Sequence, residues 1–176
     1  MKKFQDKVVW ITGSSSGIGE ATAYEFAKEG AKLILTALEA DLLQQVCKKC
    51  EELGSPKAEA LPFDLSQKDQ VAELAEKAWN VFGYIDVFYN NAGISQRSKT
   101  IDTEMKVINK VMDINYFAPV IMTKVILPKM VERGGGQLVV TTSINGRFGF
   151  PLRCAYSSSK HALYGFFETI QAEYYN

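Results

Sequence analysis

A phenol and an ammonium stand four residues apart in "YSSSK", Tyr156 to Lys160, with three small hydroxyl residues between them. On a helix, positions i and i+4 share one face, so the two heads can occupy one small volume. An ammonium held there favours an ionised phenol, which makes the pair a candidate for moving a proton. Taken alone, the same pattern is also that of a solvated helix face. A third group, Ser143, follows the apolar run "GQLVVTT" (136–142), thirteen residues before Tyr156. A glycine-bearing loop separates them, so a strand end and a helix can bring hydroxyl and phenol together.

A second constellation suits phosphate. "TGSSSGIG" (12–19) continues directly from "KVVWIT" (7–12) into a helical pattern. Gly13, Gly17 and Gly19 let the turn tighten and a pyrophosphate approach the backbone at a helix N-terminus, where free N–H groups and the dipole favour anions. Ser14, Ser15, Ser16 and Ile18 complete that loop. The spacing G-x-x-x-G-x-G differs from the G-x-G-x-x-G fingerprint, so the loop by itself indicates a nucleotide-binding turn or simply a turn. "NNAG" (90–93) follows the run "IDVFYN" (85–90), and Asn and Gly there suit either a ligand edge or turn chemistry.

The elements that must position these groups are legible as alternating periods. "KVVWIT", "KLILT" (32–36), "AEALPF" (58–63), "IDVFYN" and "GQLVVTT" read as strands, continuous in apolar character as strands covered on both faces should be. Helical period occupies 18–29, 39–53, 67–82 and 103–132, with a last helix from about Ala155 to the C-terminus. Ser66 is placed as N-cap of the third helix, with Asp69 at N3. Strand–helix alternation predicts an α/β, Rossmann-type doubly wound parallel sheet, in one domain over 1–176. The expected strand order is 3-2-1-4-5, with Gly13–Gly19 and Asn90–Gly93 on one edge. Ligands lie where the carboxyl ends of strands one and four flank the switch point.

Composition narrows the partners. Of 176 residues, 47% are apolar and 23% charged, and Lys+Arg equals Asp+Glu at 20 each, so no basic stripe for nucleic acid is expected. No apolar run approaches the ~20 residues of a membrane span, and "MKKFQDKVVW" lacks a signal peptide's apolar region, so a cytoplasmic protein without membrane contact is expected. Three cysteines make a disulfide framework an unsuitable reading; Cys47 and Cys50, a C-x-x-C in a Lys/Glu-rich helical pattern, are read as structural thiols and no metal site is expected. The single histidine, His161, follows Lys160 and should point away from it; Cys154, two before Tyr156, reads as a small packing residue, with the lining of a substrate entrance the other reading.

Together, T-G-x-x-x-G-x-G, N-N-A-G, Asn115 in the preceding long helix, Ser143 and Y-x-x-x-K resemble the short-chain dehydrogenase/reductase family, in family order from Lys7 to about Tyr175. "NAGISQRS" (91–98) and "LPKMVER" (127–133) resemble the branch around its vertebrate family-member-seven reductases, whose membrane anchor is not expected here. The resemblance implies an NAD(P)-dependent oxidoreductase interconverting a carbonyl and a secondary alcohol. Tyr156 would be the general acid/base and Lys160 its ammonium partner. At about 4–5 Å and an effective dielectric of about 20, that ammonium favours phenolate by roughly 3–4 kcal/mol. Ser143 would hold the substrate oxygen, and Asn115 would orient Lys160 through a water. Asp64 and Leu65 would contact adenine, with helix entry the other reading of Asp64. Asn90 would support the sheet centre, while Asn91, Ala92 and Gly93 would border the cofactor.

The pattern departs from the family at two places. Where an Asp would hold the ribose hydroxyls of NAD, or an Arg the phosphate of NADP, stand Ala37 and Leu38. With no acid at Ala37, and Ser14 and Ser15 available as donors, the expected cofactor is NADP by a slight preference over NAD. The sequence also stops near the end of the helix bearing Tyr156, whereas family members continue through strands six and seven, a Pro-Gly segment and a lid. An alternative is therefore a nucleotide-binding remnant or a helix-mediated interaction module without turnover. Helices 103–132 and 155–175 are the expected faces of a homo-oligomer. Phe148, Phe150 and Leu152 suggest an apolar pocket wall for a small carbonyl or alcohol substrate.

Overall fold

The computed structural model describes residues 2–174. Five parallel strands, β1 (Val8–Thr12), β2 (Lys32–Thr36), β3 (Ala58–Ala60), β4 (Val87–Asn90) and β5 (Gln137–Val140), form one sheet in the order β3-β2-β1-β4-β5. The expected order is borne out. The helices are α1 (Gly17–Lys28), α2 (Ala40–Leu53), α3 (Val71–Phe82), α4 (Met105–Met112), α5 (Ala118–Glu132) and α6 (Cys154–Tyr174). Residues 175 and 176 of the expected last helix lie outside the described residues.

β1 is the centre and explains why its sequence shows no alternation. Val8 and Trp10 point to one face, packing with Phe88, Leu74, Met122 and Ile126 beneath α3 and α5. Val9 and Ile11 point to the other, packing with Ala23, Ala27, Leu43 and Val46 of α1 and α2. Both faces are covered, so Val8 to Ile11 are all apolar, and polarity enters only at Thr12, at the ligand edge. Trp10 stacks on Phe88 at 4.2 Å and donates its indole N–H to Thr36 Oγ1 at 3.0 Å, which satisfies its polar atom inside the core.

Several boundaries shift. The third strand ends at Ala60 rather than Phe63, although Leu61 and Phe63 still donate to the Leu35 and Ala37 carbonyls; Pro62 between them, which has no N–H, is tolerated because β3 is an edge strand. Ser66 does not cap α3. Its own N–H donates to Asp64 Oδ1 at 2.9 Å, and a 3-10 turn at Lys68–Gln70 intervenes before α3 begins at Val71. An Asx turn has replaced the cap.

The segment 103–132 is helical from Met105 and is interrupted by one π-turn at Asp113–Phe117. The path Met105–Glu132 is long and apolar enough to cross a membrane by length and composition. Ala118, Met122, Ile126 and Met130 are nevertheless buried in the core, which accounts for that apolarity. Beyond β4, the residues Leu138, Val139 and Val140 of β5 are only partly buried. A groove of about 1100 Å³ runs along this strand between Met130, Leu163 and Phe167.

Candidate active site

The glycine turn between β1 and α1 is tied down by the neighbouring strand. The N–H groups of Gly13 and Ser14 donate to the Thr36 carbonyl at 2.7 and 3.3 Å. Gly13 has φ +66°, and a Cβ there would lie 2.7 Å from Ala92 Cα, so the turn and "NNAG" meet at one edge as expected. A Cβ on Gly19 would overlap the Gly13 carbonyl and come within 2.6 Å of Asn91 Nδ2. Ser16 is extended before α1 and makes no side-chain cap, leaving first-turn N–H groups for an anion. Gly17 (φ +59°) and exposed Ile18 form the rim.

The serine hydroxyls do not behave as expected. Ser14 is buried, and its Oγ donates to the Ile11 and Thr36 carbonyls at 3.3 Å each. Ser15 Oγ donates to Glu39 Oε2 at 3.0 Å. Neither is a free donor for a ribose phosphate. Glu39 stands one residue beyond Ala37 and Leu38, as the residue before α2, and only its contact with Ser15 across the turn marks it out. Asp64 is held mainly by the Ser66 backbone N–H, which lowers its carboxyl pKa, and adjoining Leu65 is buried.

Asn91 is the knot of the sheet edge. Its Nδ2 donates to the Thr12 and Gly13 carbonyls at 3.1 Å each, and its Oδ1 accepts from Thr141 Oγ1 at 3.0 Å. It thereby joins β1, β4 and the end of β5. The supporting role expected of Asn90 falls to this neighbour: the Asn90 side chain is buried with no protein hydrogen-bond partner. Ala92 donates its N–H to Thr12 Oγ1 at 3.2 Å.

Asn115 sits in the π-turn, where the extra residue re-aims the helix face inward. Fully buried, its Oδ1 accepts the Ile94 N–H and its Nδ2 donates to the Ile94 carbonyl, both at 2.8 Å. The same Nδ2 donates to Ser159 Oγ at 3.0 Å. Asn115 thus meets α6 at Ser159, the residue before Lys160, where a water-mediated link to the ammonium was expected.

Lys160 is 3% exposed, and its Nζ donates to the Thr141 carbonyl at 2.7 Å. Nζ lies 5.8 Å from the centre of the Tyr156 ring, so the two heads do share one face of α6. Burial pushes the Lys160 ammonium down to about 8. Ser143 caps a 3-10 turn at Ile144–Gly146, its Oγ accepting the Asn145 N–H at 3.1 Å. That turn lies against α6: a Cβ on Gly146 would come within 2.8 Å of the Lys160 carbonyl. Ser143, Tyr156 and Lys160 therefore gather at the carboxyl end of β5.

The surroundings are apolar on one side. Phe148 and Phe150 stack at 5.2 Å, both exposed, and Phe150, Cys154, Ser157 and Ser158 line a cavity of about 430 Å³. His161 also lines this cavity, and its Nδ1 lies 2.8 Å from the Ser157 carbonyl. Gln96, inside "NAGISQRS", accepts the Tyr156 N–H; no periodicity or spacing could have pointed to it. Cys47 and Cys50 are core residues whose thiols burial pushes up to about 11 and 12. No metal-binding cluster occurs among the described residues.

A dinucleotide fits these residues. Gly93 presents bare backbone where a Cβ would sit 3.4 Å from Asn115 Oδ1 and 3.7 Å from Lys160 Nζ, whereas at Gly13 the missing Cβ is what lets the turn close on Ala92. The edge between them is flanked by the helix N-terminus that suits phosphate. The phenol and ammonium beyond Gly93 suit proton transfer.

Comparison with known proteins agrees. The family model for short chain dehydrogenase matches residues 7–176. The chain is 42% identical over 171 residues to human "Dehydrogenase/reductase SDR family member 7", covering 96% of this chain and 50% of that protein. It is 40% identical over 173 residues to a Drosophila melanogaster family protein 7-like relative, covering 97% and 53%. Levodione reductase superposes with a TM-score of 0.92 at 33% identity, over 98% of this chain and 67% of that one. A short-chain dehydrogenase from Streptomyces avermitilis superposes with a TM-score of 0.89 at 30% identity, over 98% and 62%. The chain spans about half the length of the curated relatives it matches, and it belongs to the short-chain dehydrogenase/reductase family.

Proposed function

We propose that the chain carries the cofactor-binding and proton-transfer part of an NAD(P)-dependent oxidoreductase interconverting a carbonyl and a secondary alcohol. The observation that carries this reading is Lys160, a buried ammonium sharing a helix face with Tyr156 beside the bare backbone of Gly93. Packing alone does not call for such a group, since burying it costs free energy.

A nicotinamide cofactor held by the Gly13–Gly19 turn and the backbone of Gly93 would supply or take the hydride at the substrate carbon. Tyr156 Oη gives its proton to the carbonyl oxygen in reduction and takes it from the hydroxyl in oxidation. Ser143 Oγ holds that oxygen by a hydrogen bond, and Lys160 stabilises the phenolate left behind. Asn115 fixes Ile94 and Ser159, and through them the register of α6 against the sheet edge.

For the cofactor, the Ser15–Glu39 hydrogen bond supports NAD over NADP. A carboxylate there can accept from ribose hydroxyls and repels a ribose phosphate, and the serine donors counted for NADP are engaged. Phe117 and Val131, exposed on the helical path 105–132, support self-association through that path and α6.

The test is oxidation of NADH and NADPH against a carbonyl panel, on this chain and on any natural continuation of it. Cofactor binding without turnover in both would favour a second reading, a nucleotide-binding module. The open groove beside β5 is the observation that keeps that reading in view.

A further inference from the structure

Helix α6 begins at Cys154. The residue before it is Arg153, whose side chain carries only donors, so the first-turn N–H groups have no acceptor from the usual position. One of those groups is the N–H of Tyr156. It donates instead to Gln96 Oε1 at 3.2 Å, across sixty residues of sequence.

Gln96 is 9% exposed, and its other amide atom is also engaged. Nε2 donates to the Leu152 carbonyl at 3.5 Å and to Cys154 Sγ at 3.4 Å. The amide orientation follows from its partners: an N–H on one side requires the oxygen, a carbonyl on the other requires the NH₂. The segment it grips is strained, since Leu152 is one of two non-glycine residues with positive φ among those described, at +65°. The Ser98 N–H also donates to the Leu152 carbonyl, at 3.3 Å, and Arg153 Nη1 reaches back to Ser95 Oγ at 3.1 Å.

We propose that Gln96 is a positioning residue for the reaction: it caps α6 from the loop after β4 and so fixes where Tyr156 stands relative to the cofactor edge. The inference rests on the oxidoreductase reading for its consequence. Two residues before Gln96, Ile94 is held by Asn115, which also holds Ser159. The loop therefore meets α6 at three points, Cys154 and Tyr156 directly and Ser159 through Asn115. Loop and helix are locked in one register, with the bare face of Gly93 at its head. A displacement of Tyr156 by about 1 Å is enough to cost about a hundredfold in rate.

Three forms of the chain test this: wild type, Gln96→Met and Gln96→Glu. Amide exchange at Tyr156 reads the cap without any need for turnover. The Met variant should exchange that amide at least tenfold faster, with β1 amides unchanged, while the Glu variant keeps an acceptor and stays protected. Equal exchange at Tyr156 in wild type and Met variant overturns the proposal, whatever the activity. In the rate assay, the Met variant should lose ten- to a hundredfold in kcat with cofactor Kd within twofold. The Glu variant should raise the pH of half-maximal rate, because its charge beside the first turn opposes phenolate. An unchanged pH profile in the Glu variant together with full kcat in the Met variant would reduce Gln96 to a structural residue and overturn the proposal. Absence of turnover in wild type would instead sink the oxidoreductase reading, and the exchange result would then decide the cap alone.

Discussion

Lys160 Nζ donates to the Thr141 carbonyl at 2.7 Å, so the end of β5 holds a buried ammonium by a backbone acceptor rather than by a carboxylate. The consequence is a folded-state pKa lowered from the ordinary 10.5 to about 8 by desolvation. Between these values the unfolded chain binds the proton and the folded chain does not. Stability should therefore rise as pH goes from about 8 to 10.5, and the full cost of the charge is present below 8. The shift corresponds to about 3 kcal/mol. Lys160→Met should remove that slope and, after losing one hydrogen bond worth about 1 kcal/mol, stabilise the fold at pH 7 by roughly 1–2 kcal/mol. Urea unfolding of both forms at pH 7 and pH 10 checks this; parallel pH dependences would mean that the ammonium is solvated.

Asn115 is a second place where the site and the fold share one residue. Asn115→Ala leaves both the N–H and the carbonyl of Ile94 without their side-chain partner. Three lost hydrogen bonds at a buried position should cost about 3 kcal/mol. Amide exchange at Ile94 should rise in step with the drop in the denaturation midpoint. A cost below about 1 kcal/mol would show that the loop finds other partners.

Most of the frame was readable because it rests on short-range pattern. The five strands and their order follow from apolar runs alternating with helical period, and β1 reads as continuous because both faces are covered. What escaped is what depends on three-dimensional neighbours. Ser66 looked like a cap, but it sits in an Asx turn on Asp64, and a 3-10 turn delays α3 to Val71. The helix 103–132 looked regular, yet the turn that carries Asn115 inward has one residue too many, which no periodicity reveals at a single position. Gln96 and Glu39 each act through a partner distant in sequence, Tyr156 and Ser15.

Glu39 carries the cofactor prediction. With its carboxylate on Ser15 Oγ and Leu38 exposed beside it, the ribose end should favour hydroxyls over phosphate. NADH should bind at least severalfold more tightly than NADPH. Glu39→Ala should narrow the gap, and Glu39→Ala combined with Leu38→Arg should invert it, since Arg is suited to phosphate. Fluorescence titration of both cofactors on the three forms decides the matter. Equal preferences throughout would mean that the β2–α2 turn does not touch the ribose.

The glycine turn should tolerate no side chain where it meets "NNAG". Gly13→Ala places a Cβ 2.7 Å from Ala92 Cα, at a backbone φ of +66° that disfavours L residues. The nearest atom is backbone, so relief requires the two loops to part. Both stability and cofactor affinity should fall, stability by about 1–3 kcal/mol. Gly17→Ala is the control: its φ is also positive, at +59°, but nothing lies within 4 Å of the added Cβ, so only the conformational cost remains. Equal losses in both variants would mean that strain alone matters and the contact with Ala92 does not.

Tyr156→Phe separates binding from proton transfer. The side chain leaves the Gln96 cap untouched, because that bond uses the backbone N–H, and α6 keeps its other contacts. Cofactor affinity should therefore stay within about twofold. Turnover should fall by at least 10²–10⁴-fold, the usual worth of a positioned acid/base. Lys160→Ala should differ in kind. It removes the cation that favours phenolate and the donor that holds the Thr141 carbonyl, so it should weaken the cofactor as well as the rate. Both variants should be compared by cofactor titration and steady-state rates, on the form of the chain found to turn over. If the Phe variant kept more than about a tenth of wild-type turnover, the proton would be coming from another group. The phenol on the Lys160 face would then be a packing residue.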